Sequence, residues 1–133
     1  MILLDTHALI WLDEANPRLG PAASKGIDDA FHAGALTVSA ISFWEVGTLA
    51  RKGRIRLDMD LAAWRQDLVG QGLIELPVSG DIAVQAARLD PFHGDPADRL
   101  IAATAVLHSL TLLTADERLL SSQLPTMRMD ARD

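Results

Sequence analysis

The chain has neither cysteine nor tyrosine among its 133 residues. The first absence removes disulfide scaffolds, thiolate metal sites and cysteine nucleophiles together, and it fits a reducing compartment. The second, with only three Trp and three Phe present, leaves little for an RNA-stacking platform, and the aromatics are not interleaved with bases. Trp11, Trp44 and Trp64 read as core or interface residues. Cations are scarce too: 12 Lys and Arg stand against 18 Asp and Glu, a net charge of −6, which by itself argues against non-specific nucleic-acid binding. Long apolar runs are missing. The most apolar stretch, 100–113, is interrupted by His108 and Ser109 and is too short to span a bilayer. The opening Met1-Ile2-Leu3-Leu4-Asp5 has no basic segment and is not expected to be a signal peptide, so a soluble, cytoplasmic protein without membrane association is expected. Gly-x-Ser-x-Gly, P-loop and Gly-x-Gly-x-x-Gly motifs are absent, and with them any sign of a nucleotide cofactor.

What remains is a globular composition, 49% hydrophobic, of a length that suits a single domain over 1–133. Short apolar strands are expected at 2–4, 36–39, 73–78 and 111–114, with a last one near 127–129. Helices are expected at 6–13, 21–34, 42–53 (with Gly53 as its C′ glycine), 61–71, 79–89 (bounded by Pro91), 96–109 and 117–120. Strands alternating with helices imply a parallel sheet covered on both faces, a three-layer α/β/α sandwich. Strand order is not fixed by this pattern.

Four acids stand where strands meet helices: Asp5 after 2–4, Glu45 past 36–39, Asp98 at the mouth of the 96–109 helix, and Asp116 after 111–114. In open α/β sheets, ligands sit at the carboxyl ends of the strands, where all four would converge. Clustered carboxylates repel unless they share protons or bind cations, and hard oxygen donors suit a divalent metal. Each acid also has a structural account. Asp5 and Asp116 suit N-caps, Ser42-x-x-Glu45 is a capping box, and Asp95-Pro96-x-Asp98 places an N-cap, an N1 proline and an N3 acid in order. The case for a metal rests on the four together.

The bases concentrate in one strip. Arg51, Lys52, Arg54 and Arg56 lie in 46–57, which holds no acid; they suit either a solvated helix end or, in a nuclease, the phosphate backbone. The histidines His7, His32, His93 and His108 lack paired metal spacing. His7, two residues from Asp5, can line its pocket, although surface or packing roles account for it as well.

Several segments resemble one family in order. The run from Met1 to Trp11, 38–45 with Glu45, 51–54, 93–102 with Asp98, and 113–119 with Asp116 are similar to the motifs of PIN-domain ribonucleases in the VapC toxin branch. All four of that family's acidic positions are filled. The resemblance implies a five-stranded parallel sheet, dependence on Mg²⁺ with Mn²⁺ as substitute, endonucleolytic RNA cleavage leaving 5′-phosphate and 3′-hydroxyl ends, a homodimer, and a small VapB-type antitoxin across the active-site region. On this reading Asp5, Glu45, Asp98 and Asp116 hold one or two ions, Thr114 and also Thr6 orient a metal-bound water, and Arg99 or the 51–56 strip fixes the phosphate backbone without reading bases.

Aspartyl-phosphate chemistry at Asp5 is the enzymatic rival. A haloacid-dehalogenase-like phosphatase needs a second Asp two residues on, where this chain has His7. A receiver domain needs a late-strand Lys, and only Lys25 and Lys52 exist. The non-enzymatic alternative is a PIN-like module that binds RNA or protein without cleaving; an intact acidic quartet argues against it, since unoccupied clustered carboxylates destabilise the fold.

Overall fold

A computed structural model describes residues 1–89 and 94–133; the expected boundary at Pro91 and the family-like His93 lie outside them. The elements run β1 (Ile2–Leu4), α1 (Thr6–Asp13), α2 (Pro21–His32), β2 (Leu36–Ser39), α3 (Ile41–Arg51), α4 (Leu61–Gln71), β3 (Ile74–Leu76), α5 (Gly80–Arg88), α6 (Pro96–His108), β4 (Thr111–Thr114), α7 (Glu117–Leu120) and β5 (Arg128–Asp130). The strands form a five-stranded sheet in the order β3-β2-β1-β4-β5, and every pairing is parallel.

Alternation along the strands builds the three layers. Leu4 is in register with Val38 and Leu113, and all three face one core with α1, α2, α3 and α4. Leu3 and Leu112, one position earlier, face the other core with α5, α6 and α7. Leu3, Leu4, Leu112 and Leu113 are all at 0% exposure, each stabilising by roughly 1.5–3 kcal/mol relative to an exposed leucine. This is why strands of three or four residues suffice and why they lack polar alternation. Helix α6 is buried along most of its length through Ala97, Ile101, Ala102, Ala103, Thr104 and Ala105.

The chain departs from β1 in both directions across the sheet, first to β2 and β3 and later to β4 and β5. The reversal lies between β1 and β4, so the crevice at their carboxyl ends is the place this topology offers to a ligand.

Several boundaries differ from expectation by a residue or more, and three of them have a clear local reason. Helix α3 starts at Ile41, not Ser42; its N-cap is Ala40, which makes no side-chain cap bond. The expected capping box is therefore absent, and Ser42 is buried as the acceptor of the Thr6 hydroxyl at 3.0 Å, a bond that ties α1 to α3. Strand β3 is confined to Ile74–Leu76, and Pro77 just beyond it has no amide to continue a ladder. Helix α2 stops at His32, ahead of Gly34 at φ 65°. Gly53 does take the C′ position expected of it. It sits at φ 71°, with the Gly53 amide bonding Ala50 O and the Arg54 amide bonding Leu49 O in a Schellman arrangement.

Ser42→Ala removes the acceptor for a buried Thr6 hydroxyl, and a loss of about 1–3 kcal/mol in stability is expected. A denaturant midpoint indistinguishable from wild type would mean that this bond does not hold α1 against α3.

Candidate active site

Each acid is delivered by a strand-to-helix junction. Asp5 directly follows β1, and its amide extends the ladder by bonding Leu113 O at 3.1 Å. It is the N-cap of α1: Oδ1 accepts the Ala8 amide at 2.8 Å. Its Oδ2 accepts the hydroxyl of Thr114, at the end of the neighbouring β4. That hydroxyl also accepts the Asp116 amide at 3.0 Å, so Thr114 fixes two of the acids at once and its single proton is committed to Asp5. The sequence reading gave Thr114 to a water; in the fold its donor faces a carboxylate.

Asp116 caps the short α7, accepting the Arg118 amide at 2.9 Å. Asp95 caps α6 by accepting the Asp98 amide at 2.8 Å, which places Asp98 at N3. Glu45 lies in the first turns of α3, reached from β2. These residues share one pocket of about 320 Å³, lined by Asp5, Thr6, His7, Trp11, Glu45, Asp95, Asp98, Ala115, Asp116 and Arg118. Two other depressions, of about 410 and 290 Å³, lie beside α1 and α4, and neither contains a member of the quartet.

Within the pocket, Glu45, Asp95 and Asp98 each present a carboxylate oxygen, all within 4.8 Å of one another. Charge so crowded perturbs proton affinity. Asp98 is pushed up to about 7, first by burial and then by the charges of Asp95, Glu45, Asp116 and Asp5. Burial also raises Asp5, against hydrogen bonds from Thr114 and the Ala8 amide that pull it down. Asp116 moves the other way: burial opposes it, but the side-chain bond, amide and charge of Arg118 hold it below the usual range.

Arg118 is the cation of this pocket. Its guanidinium lies 3.1 Å from Asp116 and 3.5 Å from Asp98. The Asp98 contact does not offset that carboxyl's raised proton affinity, because it is long and the arginine side chain is 63% exposed.

The other expected cations stand elsewhere. Arg51, Lys52, Arg54 and Arg56 are exposed at the far end of α3 and beyond it, and Arg51 is six residues, about 9 Å along the helix, from Glu45. Arg56 pairs with Asp58 at 2.7 Å. Arg99 donates to the carbonyls of Ala86 and Leu89 at 2.6 and 2.8 Å, tying the end of α5 to α6. Among the pocket residues, the sequence reading assigned no site role to Asp95, Trp11 or Arg118. The signal for Asp95 and Arg118 was their distance of three and two residues from Asp98 and Asp116. For Trp11 it was the helical spacing of four from His7.

Residues 2–122 match the family model described as PIN domain. The chain is 40% identical over 125 residues to Ribonuclease VapC22 of Mycobacterium tuberculosis (strain ATCC 25618 / H37Rv), covering 93% of each. Among solved structures, a toxin–antitoxin complex from Klebsiella pneumoniae superposes with TM-score 0.66 at 23% identity, over 98% of both chains. VapBC2 from Rickettsia felis, bound to a DNA fragment from its promoter, does so with TM-score 0.72 at 16% identity, over 97% of this chain and 98% of that one. At such identities these two structures bear on the fold alone.

The Asp98 carboxyl keeps its proton to about pH 7 in the folded chain but ordinarily loses it near 3.8. Between those values the native state binds more protons than the unfolded one, so stability falls as pH rises. In chelator-treated protein, the denaturant midpoint should decline from about pH 4 to about pH 7, and Asp98→Asn should flatten that decline. An Asp98→Asn profile with the wild-type slope would place the linkage elsewhere.

Proposed function

The chain belongs to the PIN-domain family, and from that premise we propose that it is the endoribonuclease toxin of a type II toxin–antitoxin pair, acting with divalent cations held by Asp5, Glu45, Asp98 and Asp116. The observation that carries the reading is the convergence of these acids, from four junctions spread across the chain, on one pocket at the reversal point of the sheet. The 40% identity to a ribonuclease supports the reaction class.

The donor set fits a hard cation. Glu45, Asp95 and Asp98 offer carboxylate oxygens within 4.8 Å of one another, close enough to share one ion, and such hard donors suit Mg²⁺ or Mn²⁺ rather than a thiophilic metal. When bound, such an ion supplies positive charge at the scissile phosphate and acidifies water at neutral pH.

The protein's own part is positioning and proton control. Thr114 holds Asp5 and the Asp116 backbone in a fixed relation, and the Ala8 amide fixes the other oxygen of Asp5. Thr114 is therefore a positioning residue. Asp98, whose proton affinity burial and its acidic neighbours raise to about 7, would give up that proton to hold a cation. Arg118, already at the pocket's edge beside two acids, is better placed for a scissile phosphate than Arg99 or the 51–56 strip. That strip remains available to backbone farther along the RNA.

On this reading residues 1–133 act as one domain in the cytoplasm, and among the described residues no helix is long and apolar enough to cross a membrane. A homodimer and a small VapB-type antitoxin are the partners proposed. The antitoxin is suggested by the shared fold of the structures from Klebsiella pneumoniae and Rickettsia felis, which are a toxin–antitoxin complex and a VapBC complex.

Cleavage of RNA should require Mg²⁺ or Mn²⁺ and stop with chelator, and Asp5→Asn and Asp116→Asn should each abolish it while remaining folded. Undiminished cleavage by folded Asp5→Asn protein would refute the metal-site reading. A second measurement is independent of turnover. Calorimetric Mn²⁺ binding near pH 6 should release protons, visible as a heat that depends on buffer ionisation enthalpy, and should be weaker than at pH 8. Binding indifferent to pH across that range would contradict the role given to Asp98.

A further inference from the structure

Helix α1 contributes more to the pocket than Asp5 and Thr6. His7 and Trp11, one turn apart, line it as well. Trp11 is half-buried and packs against the core formed with α2, α3 and α4. The residue is thus anchored against the core while contributing to the lining of the acidic pocket. The other tryptophans are placed differently. Trp64 is buried, edge-on to Phe43, with its indole N–H donating to Asp13. Trp44 is 61% exposed on α3 and does not line this pocket.

We propose that Trp11, flanked by His7, is a nucleobase-stacking residue that holds one unpaired base beside the scissile phosphate and so helps select the cleavage position. The proposal rests on the reading of the chain as an endoribonuclease. Electrostatics explains the need for it. Five carboxylates line the pocket against Arg118 as its permanent cation, and the whole chain carries −6, so the phosphate backbone finds little attraction there beyond bound cations. Stacking on an aromatic face does not depend on the sign of that field, and every base has such a face. Single-stranded RNA is commonly read by splaying a base onto Trp or His. A cavity of about 320 Å³ lies at the small end of ligand sites, roughly 300–1,000 Å³, which suits a single nucleotide and not a base-paired helix.

The test uses the full chain, Mn²⁺ and a short unstructured RNA with one cleavage site, along which an abasic nucleotide is walked. Wild-type protein should show one position next to the cleaved bond where loss of the base raises KM by roughly fivefold to a hundredfold. Trp11→Leu, which keeps an apolar side chain for the core, should raise KM on the intact RNA by a similar factor and should no longer distinguish the abasic substrate at that position. Trp11→Phe should recover part of both effects. Mn²⁺ affinity by calorimetry should be unchanged in all three proteins. If Trp11→Leu raises KM but the abasic penalty persists, the residue is structural and the proposal is overturned. If that variant does not fold, the abasic walk on wild type and Trp11→Phe decides: no sensitive position, or one that Trp11→Phe leaves at full strength, overturns it. Wild-type protein that cleaves no RNA with Mn²⁺ would instead remove the ribonuclease reading itself, and the stacking role with it.

Discussion

Thr114 on β4 donates its hydroxyl proton to Asp5 at the end of β1, joining the two strands on either side of the sheet's reversal point. Asp5 is 6% exposed and Thr114 is fully buried, so an ionisable group stands inside the fold with two hydrogen bonds to meet its charge. Burial of that kind is costly unless each lone pair finds a donor. The α1 amide at Ala8 and the β4 hydroxyl at Thr114 are those donors, and they also dictate where α1 begins and how far β4 extends. Once Asp5 is fixed, the Thr114 hydroxyl fixes Asp116 through its amide. The fold and the pocket are therefore specified by the same few atoms.

Capping and ligand binding, which compete as explanations in the sequence, prove compatible in the fold. Asp95 and Asp116 each spend one oxygen on a helix amide, and in doing so aim the carboxylate outward from the helix start, along the carboxyl edge of the sheet. Helices α1, α3 and α6 all begin at this edge, and their N-termini carry partial positive charge. Three helix dipoles thus ease the crowding of five acids before any cation arrives. Glu45 joins them by a different route. With Ala40 at the N-cap and Ser42 bonded to Thr6, its carboxylate is free of capping duty and meets Asp95 and Asp98.

Much of this was legible in the residues. The short runs at 2–4, 36–39 and 111–114 read as buried strands of a parallel sheet, and an acid follows each within six residues. The acids were visible because each follows such a run or opens a helix. Other features were not legible, for a physical reason. Strand order depends on which faces pack together, and local periodicity does not encode that. The Ser42 capping box fits its sequence pattern, but a buried hydroxyl partner on another helix claims the serine. Trp11 looked like core because half of it is core. Its second role exists only because the fold brings it into the pocket lined also by residues of α3, α6 and α7, a tertiary fact. Arg118 was hidden by the opposite effect, as one more base near a short helix until two carboxylates were seen to face it.

Three local devices compensate the pocket's negative charge, and each does so incompletely. Hydrogen bonds satisfy Asp5 but do not neutralise it; burial still raises its proton affinity. Arg118 offsets Asp116 strongly and Asp98 weakly, from a mostly solvent-exposed position. A proton on Asp98 removes one charge, but only up to about pH 7. All three leave Glu45, Asp95 and Asp98 with oxygens close enough to share an ion. A divalent cation is worth most where compensation is partial and the ligands are already gathered, because neither the ordering of side chains nor the repulsion has to be met anew on binding. The pocket is a preorganised deficit of positive charge. The fold's other preferences, from the cap at Asp5 to the start of α3, maintain that deficit in one place.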